Sequence, residues 1–288
     1  DSADGIRYAD GRIAEAPLAL CEVQGYAYAA YRARAQIAQH LGDAEGVATY
    51  TAFADDLKER FNRDYWLDDL GWYAVALGPD GKPVDSLASN MGHCLWSGIV
   101  DDEHAAAVAA QLMSPAMWSG WGIRTLASTE PGFDPMSYHC GTVWPHDGAL
   151  CAFGLRAYGF DEAALTIARG LLAASESWSG RLPELFCGLD RADVDTPVPF
   201  PTSCSPQAWS AATPFLLLRT MLGLEPTEDG GMTIDPITGA FDDELWFLGV
   251  RRLDGRFDIR IDDGRAEVVR SGDGGGGLRQ LRDLRSPR

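Results

Sequence analysis

The sequence predicts a mainly α-helical fold made of helical hairpins, followed by a small β-rich element. Apolar residues recur at three- and four-residue spacings in seven segments, most of which come in pairs joined by few residues. After Leu222 the pattern changes to short apolar segments separated by turns such as Asp254-Gly255 and Asp263-Gly264, which is typical of antiparallel strands. The predicted helices span residues 17–40, 43–61, 90–100, 102–113, 145–158, 162–177 and 206–222.

The first two helices are predicted to form an αα-hairpin. Gly42 interrupts the helical pattern between them, and Asp43 can cap the second helix. Residues 66–77 come next and run into the turn sequence Gly78-Pro79-Asp80-Gly81, which predicts a short extended loop or a β-hairpin. Two further helical pairs follow.

Two long loops lie between the helical pairs, at residues 114–141 and 178–204. Both are rich in Gly, Pro, Ser and Trp. Long loops inside a compact domain are commonly functional, especially when they carry aromatic residues. We therefore expect these loops to build the functional site.

The chain after residue 224 divides into two parts. We predict a helical catalytic portion at 1–224, a β-rich element at 225–270 and a disordered tail at 271–288, because the tail holds four consecutive glycines and little apolar surface. The predicted strands are 233–234, 245–248, 256–261 and 266–269.

Composition and charge exclude several classes of partner. The 288 residues are 46% hydrophobic and 23% charged, as in ordinary globular proteins. The formal net charge of −18 would repel a phosphate backbone, so nucleic acid is not an expected partner. No apolar run reaches the roughly 18 residues that span a bilayer, which predicts no membrane partner and a cytoplasmic protein. The six cysteines include no C-x-x-C pair, which predicts free thiols and no metal.

Two short segments concentrate side chains that carry chemistry. Residues 137–147 hold two histidines, a tyrosine, a tryptophan and an aspartate immediately before a helix. Residues 181–188 place Glu184 among apolar neighbours. Buried polar groups need hydrogen-bond partners, so such a concentration of polar side chains is unusual for a protein core. We interpret the two segments as two walls of one pocket.

Glu184 suits the chemistry of glycoside hydrolysis. That reaction needs two carboxyl groups, one protonated and one ionised, and aromatic surfaces that hold the sugar. The apolar neighbours of Glu184 would perturb its pKa. The alternative is a surface glutamate in a turn.

Five motifs occur in a fixed order. They are Glu22-Val23-Gln24-Gly25-Tyr26, Ser119 to Leu126, Tyr138 to Asp147, Glu184-Leu185-Phe186-Cys187-Gly188 and Cys204 to Trp209. Together they resemble the motifs of the bacterial glycogen-debranching-type amylo-α-1,6-glucosidases, and the resemblance covers about residues 1–265. These enzymes are six-hairpin glycosidases and share an (α/α)6 toroid with trehalases, glucoamylases and mannosylglycerate-hydrolase-like enzymes.

The resemblance implies an inverting glycosidase that needs no cofactor. Glu184 would be the general base, and the general acid would be Asp1, with Asp4 as the second candidate. It also implies an all-α (α/α)6 toroid that is incomplete at its N-terminus, without the β-sandwich that is common in these enzymes. Cys140 stands where the family often has Asn, which would weaken one contact with sugar.

Other residues are predicted to bind substrate. Trp121 and Trp144 could stack on sugar rings, Arg124 could hold hydroxyl groups or form a structural ion pair, and Glu22 could be a sugar ligand or an ion-pair partner. His139, His146 and Asp147 are weak candidates for a metal site. Trp209 is as well explained by core packing, and a His93–Cys94 nucleophile pair is disfavoured because adjacent helical residues point apart. The predicted substrate-binding set is Glu22, Gln24, Trp121, Arg124, Tyr138, His139, Trp144, His146 and Asp147.

The sequence therefore predicts an inverting α-glucosidase of debranching type that acts on an oligosaccharide or polysaccharide. One alternative is an inactive carbohydrate-binding remnant of such an enzyme. Another is a related six-hairpin glycosidase that acts on trehalose or mannosyl substrates. An epimerase on the same toroid is disfavoured by the Glu-Leu-Phe motif. The sequence does not predict an oligomeric state.

Overall fold

The computed structural model describes residues 5–227, 232–241, 244–252, 255–262 and 265–271. It divides into two compact units, with the division between Leu217 and Leu218. The helices are α1 Cys21–His40, α2 Ala44–Tyr65, α3 Asn90–Ser97, α4 Asp102–Leu112, α5 Pro145–Ala157, α6 Asp161–Ser175 and α7 Ala208–Leu222, with a 3-10 turn at Glu176–Trp178. The strands are β1 Ala19–Leu20, β2 Trp66–Leu67, β3 Trp72–Tyr73, β4 Ala76–Leu77, β5 Pro83–Val84, β6 Glu225–Pro226, β7 Met232–Thr233, β8 Leu245–Arg252, β9 Gly255–Asp262 and β10 Arg265–Ser271.

The first unit is built from helical hairpins, as predicted. Helix α1 packs on α2 and α5 packs on α6, while α3 contacts α4 less extensively. Helix α3 also packs against both α1 and α5, so the odd-numbered helices α1, α3 and α5 form a continuous inner row. The helical-hairpin architecture is thus confirmed, whereas closure into an (α/α)6 toroid and its incompleteness at the N-terminus stay predictions.

Glycines allow the inner helices to approach closely. A Cβ atom on Gly25 of α1 would lie 2.6 Å from the Ser97 hydroxyl of α3, and one on Gly92 of α3 would lie 2.2 Å from the Cys151 sulfur of α5. A Cβ atom on Gly154 would lie 2.5 Å from the backbone nitrogen of Trp96. Larger residues at these positions would separate the helices. The glycines therefore set the distance between the three helices.

Of the two alternatives predicted for residues 66–77, an extended loop or a β-hairpin, the structure shows paired strands: β2 pairs with β3, and β4 pairs with β5 across the turn at residues 78–81. This segment also fixes where α1 begins. Strand β4 pairs with both β1 and β5, and the backbone nitrogen of Cys21 donates to the Val75 carbonyl at 2.9 Å. Residues 19–20 are therefore strand rather than helix, and α1 starts at Cys21 instead of residue 17. This sheet packs in a core of buried residues that includes Ile6, Val84 and Leu126.

Helix ends follow the local signals in the sequence. The Asp43 carboxylate accepts a hydrogen bond from the backbone nitrogen of Gly46 at 2.8 Å, which caps α2 as predicted. Gly42, between α1 and α2, has a φ of 72°, a conformation that glycine adopts without steric cost. Pro145 occupies the first turn of α5, where its missing N–H is not needed.

The second unit contains the predicted β-rich element. Strands β8, β9 and β10 form an antiparallel sheet, and a register irregularity occurs between Phe247 and Val250. Leu222, Ile259 and Ile261 are the buried centre of this unit. The predicted disordered tail lies outside the described residues after Ser271, and the assignment of residues 1–224 as catalytic stays a prediction.

None of the helices in the described ranges combines the length and the hydropathy that crossing a bilayer requires. The described cysteines are all free thiols, and Cys204 is the exposed one.

Candidate active site

A cavity of about 550 Å³ lies in the first unit and is within the usual size range of small-molecule sites. Helices α1, α3, α5 and α7 contribute residues from their first or second turns, and the two long loops contribute Thr125, Tyr138, His139 and Glu184. Leu20, Ser89 and Trp144 each lie directly before one of these helices. The site is therefore a meeting point of helix N-terminal ends and loops. Its lining residues are Leu20, Glu22, Val23, Tyr26, Ser89, Asn90, His93, Thr125, Tyr138, His139, Trp144, His146, Asp147, Glu184 and Trp209.

One side of the cavity, the loop wall, is formed by residues 138–144 and 184–188. The two segments pair as an antiparallel bridge in which Val143 and Phe186 exchange backbone hydrogen bonds of 2.9 and 3.0 Å. A Cβ atom on Gly188 would lie 1.7 Å from the Gly141 carbonyl oxygen, so only glycine permits this approach. The pairing brings Tyr138 and Glu184, 46 residues apart in the chain, into contact.

Both carboxylate oxygens of Glu184 accept hydrogen bonds. The Tyr138 hydroxyl donates to Oε1 at 2.6 Å, and the backbone nitrogen of Cys204 donates to Oε2 at 3.0 Å. Burial alone would raise the pKa of Glu184, but these hydrogen bonds, the Cys204 thiol and the charge of His139 outweigh it and lower the pKa. Glu184 is therefore ionised at neutral pH. Burial and Glu184 together raise the pKa of Tyr138 to about 12, so the phenol keeps its proton.

The lining residues on α1, α3 and α5, which we call the helix wall, carry a chain of hydrogen bonds. The Tyr26 hydroxyl of α1 lies 2.5 Å from Nδ1 of His93 on α3, and Nε2 of His93 lies 2.5 Å from Oδ1 of Asp147 on α5. Glu22 lies one helical turn before Tyr26 and also lines the cavity. Burial, together with the charges of Glu22 and Asp147, raises the pKa of Tyr26, so this phenol also stays protonated.

Asp147 has one unused carboxylate oxygen. Its Oδ2 is buried and has no hydrogen-bond partner within the part of the chain that the structure describes. Asp147 lies in the first turn of α5, where the helix dipole stabilises negative charge. Burial and the neighbouring His93 lower the pKa of His146, although Asp147 opposes them. The His146 ring is therefore neutral at neutral pH.

Stacked aromatic rings form a large part of the cavity lining. His139 stacks on Trp144 with an interplanar angle of 14°, and His146 stacks on Trp209 with an angle of 10°. The Trp144 and Trp209 rings meet edge to face at a centroid distance of 6.2 Å. Such rings present flat apolar faces with polar edges, which suits the apolar faces of sugars.

Comparison with known proteins identifies the family of this chain. A model of the "mannosylglycerate hydrolase MGH1-like glycoside hydrolase domain" matches residues 4–187. The chain belongs to this family.

A curated relative is the mannosylglycerate hydrolase of Rubrobacter radiotolerans, which is 28% identical over 139 residues. The match covers 47% of this chain and 31% of that protein, so the chain spans about a third of the relative's length.

Solved structures show the same fold. A sialidase structure has a TM-score of 0.74 at 16% identity and covers 92% of this chain and 26% of its own. A GH63 mannosylglycerate hydrolase from Thermus thermophilus, in complex with Tris, has a TM-score of 0.60 at 20% identity, and the match covers 70% of this chain and 46% of that one. The neutral trehalase of Saccharomyces cerevisiae has a TM-score of 0.55 at 16% identity, and the match covers 71% of this chain and 38% of that one. These structures show the fold alone; the family model and the curated relative, taken with them, support the six-hairpin glycosidase superfamily, whereas the debranching specificity stays a prediction.

In this MGH1-like domain, most of the predicted site residues meet at the cavity. Seven of the described candidates line it, and three do not. The general-acid candidates Asp1 and Asp4 lie outside the described residues. The candidates that line the cavity are Glu22, Tyr138, His139, Trp144, His146, Asp147 and Glu184.

Arg124 does not line the cavity, and its guanidinium makes hydrogen bonds and an ion pair with other residues of the protein. Its Nε donates to the Gly188 carbonyl at 2.8 Å, Nη1 contacts the Pro115 carbonyl, and Nη2 pairs with Asp190 at 3.2 Å. This geometry corresponds to the structural ion pair, the alternative given by the sequence. Arg124 joins the two loops that form the loop wall.

Trp121 and Gln24 also lie away from the cavity lining. Trp121 is buried beneath the Arg191 guanidinium, whose carbon lies 4.1 Å from the ring centroid. Gln24 is two residues after Glu22 on α1, and helical residues two apart point in different directions. Its amide donates to the Leu20 carbonyl at 3.2 Å instead.

The sequence alone did not identify Tyr26, His93, Asn90 or Trp209 as site residues. Tyr26 had a usable signal, since residues four apart share a helix face and Glu22 was already a candidate. His93 was considered only with Cys94, and its partners lie 67 and 54 residues away in the chain. Trp209 is 44% exposed and lines the cavity, so core packing does not describe it.

The described residues contain no cluster of three or more His, Cys, Asp or Glu side chains arranged to hold a metal ion.

Proposed function

We propose that this chain carries the general-base side of the active site of an inverting glycoside hydrolase that acts on an α-linked hexoside. The observation that supports this most directly is Glu184, a buried carboxylate that hydrogen bonds keep ionised at the edge of an aromatic-lined cavity. A general base must be ionised and within reach of the water that it activates. Glu184 meets the first condition at neutral pH.

In the proposed reaction, Glu184 removes a proton from a water molecule that attacks the anomeric carbon. A second carboxylic acid protonates the departing glycosidic oxygen from the opposite side of the sugar ring. Asp1, or Asp4 as second candidate, is proposed for that role from the family motif. The two carboxyl groups would lie about 6.5–9.5 Å apart, as inverting enzymes require.

The substrate class that the comparisons favour is a short α-linked glycoside such as mannosylglycerate. Both the family model and the curated relative carry that name, and a cavity of about 550 Å³ suits one sugar ring with a small second group. The α-1,6-glucosidic substrate of a debranching enzyme is the second candidate, because five motifs of those enzymes occur here in order. Trehalose is a third, since a trehalase shares the fold.

The test is a comparison of substrates with the full-length protein. Mannosylglycerate, trehalose and a branched maltodextrin are incubated separately, and proton NMR identifies the first-formed anomer of the released sugar. We expect one substrate to be cleaved and its α-linkage to yield the β-anomer. The Glu184→Gln variant serves as the blank for contaminating hydrolases.

Two results would contradict the proposal in different ways. Release of the α-anomer alone would exclude inversion and with it the base role of Glu184, whereas inverting hydrolysis of trehalose would release equal amounts of the two anomers because the leaving glucose keeps its α configuration. Binding of all three sugars without hydrolysis would favour the alternative of a carbohydrate-binding remnant.

A further inference from the structure

The helix wall contains three side chains joined end to end by hydrogen bonds, and they come from three different helices. Tyr26 is on α1, His93 on α3 and Asp147 on α5. The two hydrogen bonds are each 2.5 Å long, and all three residues line the cavity. Side chains from three different helices rarely form such a chain by chance, because each added contact must overcome the loss of side-chain freedom.

The direction of these hydrogen bonds follows from the chemistry of the groups. A carboxylate only accepts, so the hydrogen between His93 and Asp147 is carried by Nε2. In the neutral imidazole Nδ1 is then an acceptor, and the Tyr26 hydroxyl donates to it. The pair of contacts fixes both the tautomer and the orientation of the His93 ring, as a carboxylate does for histidines elsewhere.

The chain ends at an oxygen that lacks a partner. Oδ1 of Asp147 is occupied by His93, whereas Oδ2 is buried without a hydrogen bond from any described residue. Buried polar atoms are nearly always hydrogen bonded, so we expect a donor from outside the protein to bind this oxygen. Because Asp147 lines the cavity, the donor that fits is a hydroxyl group of a bound ligand.

We propose that Tyr26, His93 and Asp147 form a relay that holds Oδ2 of Asp147 as the acceptor for one particular hydroxyl group of the hexose ring. Tyr26 and His93 are positioning residues, and Asp147 makes the contact. The relay therefore selects sugars by the presence of that hydroxyl. This inference rests on the proposed function, since it assumes that the cavity holds a hexose.

Binding measurements separate the relay from catalysis. The full-length protein carrying Glu184→Gln, which blocks turnover, is titrated with methyl α-D-mannopyranoside, methyl α-D-glucopyranoside and the monodeoxy analogues of each. We expect one deoxy position to weaken binding about tenfold or more, as expected when a hydrogen bond to a charged group is lost. Adding Asp147→Ala should abolish that discrimination, and adding Tyr26→Phe or His93→Phe should reduce it.

The comparison of analogues distinguishes positioning from general damage. A merely structural change weakens every analogue by the same factor, whereas loss of the relay equalises the parent sugar and one deoxy analogue. Tyr26→Phe removes a single hydroxyl group and keeps the ring contacts. Tyr31→Phe is its matched control, because Tyr31 is on the same helix, packs on Tyr50 and Phe53 and does not line the cavity.

Unchanged discrimination in the Tyr26 and Asp147 variants would overturn the relay and leave the proposed function standing. Failure of the Glu184→Gln protein to bind either methyl hexoside would overturn both.

Discussion

Glu184 on the loop wall and Asp147 on the helix wall are both buried carboxylates, but their hydrogen-bond partners differ. On the loop wall both oxygens of Glu184 accept hydrogen bonds, from a phenol and from a backbone amide. On the helix wall one oxygen of Asp147 pairs with a histidine and the other has no partner among the described residues. Both residues are 8% exposed, so burial does not separate them.

This contrast indicates that the role of a carboxylate follows from its hydrogen-bond partners more than from its burial. Glu184 has its charge stabilised on both oxygens, which suits a base that must stay ionised until it takes a proton from water. Asp147 keeps an acceptor available, which suits recognition of a hydroxyl group. Three predictions test this contrast, in order of decreasing effect.

The largest effect is expected for Glu184→Gln in the full-length protein. The amide keeps the size of the side chain but cannot take a proton, so kcat should fall by about 10²–10⁴-fold, the usual contribution of a positioned acid or base. Substrate affinity should be retained. Steady-state kinetics on the substrate found above measures both quantities.

Two variants control this experiment. Asp147→Asn should act more on KM than on kcat, because it alters recognition. Glu130→Gln changes a half-buried glutamate that accepts from the Leu87 amide outside the cavity, and kinetics should not change. Equal losses of kcat in the Glu184 and Asp147 variants would remove the distinction between the walls.

The second effect concerns Arg124, which supports the loop wall. Arg124→Met leaves the Gly188 and Pro115 carbonyls without their donor, and we expect the free energy of unfolding to fall by about 2–3 kcal/mol. Urea unfolding followed by tryptophan fluorescence measures this change. Arg12→Met, which breaks an exposed ion pair with Asp10, should leave the free energy of unfolding unchanged, because solvent screens the two charges.

The Arg124 experiment also decides between the two roles that the sequence left open. A raised KM with unchanged unfolding would identify Arg124 as a sugar ligand, contrary to its placement in the structure.

The smallest effect is expected for Tyr138→Phe. Its hydroxyl helps to hold the pKa of Glu184 below the ordinary value, so removing it should raise that pKa. Because the base must be ionised to act, the acidic limb of the pH profile of kcat/KM should shift to higher pH, while kcat/KM near neutral pH should change little because Glu184 stays ionised there.

Tyr26→Phe provides the comparison, since Tyr26 contacts His93 on the other wall. It should leave the acidic limb where it is. A shift of the acidic limb of the pH profile in both variants, or in neither, would contradict the inference that the Tyr138 hydroxyl lowers the pKa of Glu184.

Local patterns explain why much of the fold could be predicted. Helix periodicity identified both helices of each hairpin, and Asp43 caps α2 as its side chain suggested. The motif around Glu184 was recognisable because a carboxylate among apolar neighbours is unusual in any loop. Helix starts were less predictable: α1 begins at Cys21 because residues 19–20 pair with β4, a strand more than fifty residues later.

By itself, the sequence determined the helical hairpins, the β-rich element and the two polar segments that became the loop wall and the start of α5, because these depend on neighbours along the chain. Only the tertiary structure decided which side chains share the cavity. It directed Arg124 to the Gly188 carbonyl and brought Tyr26 and His93 to Asp147. The physical reason is that these contacts depend on how closely α1, α3 and α5 approach at their glycines, and no local pattern encodes the distance or the rotation of one helix relative to another.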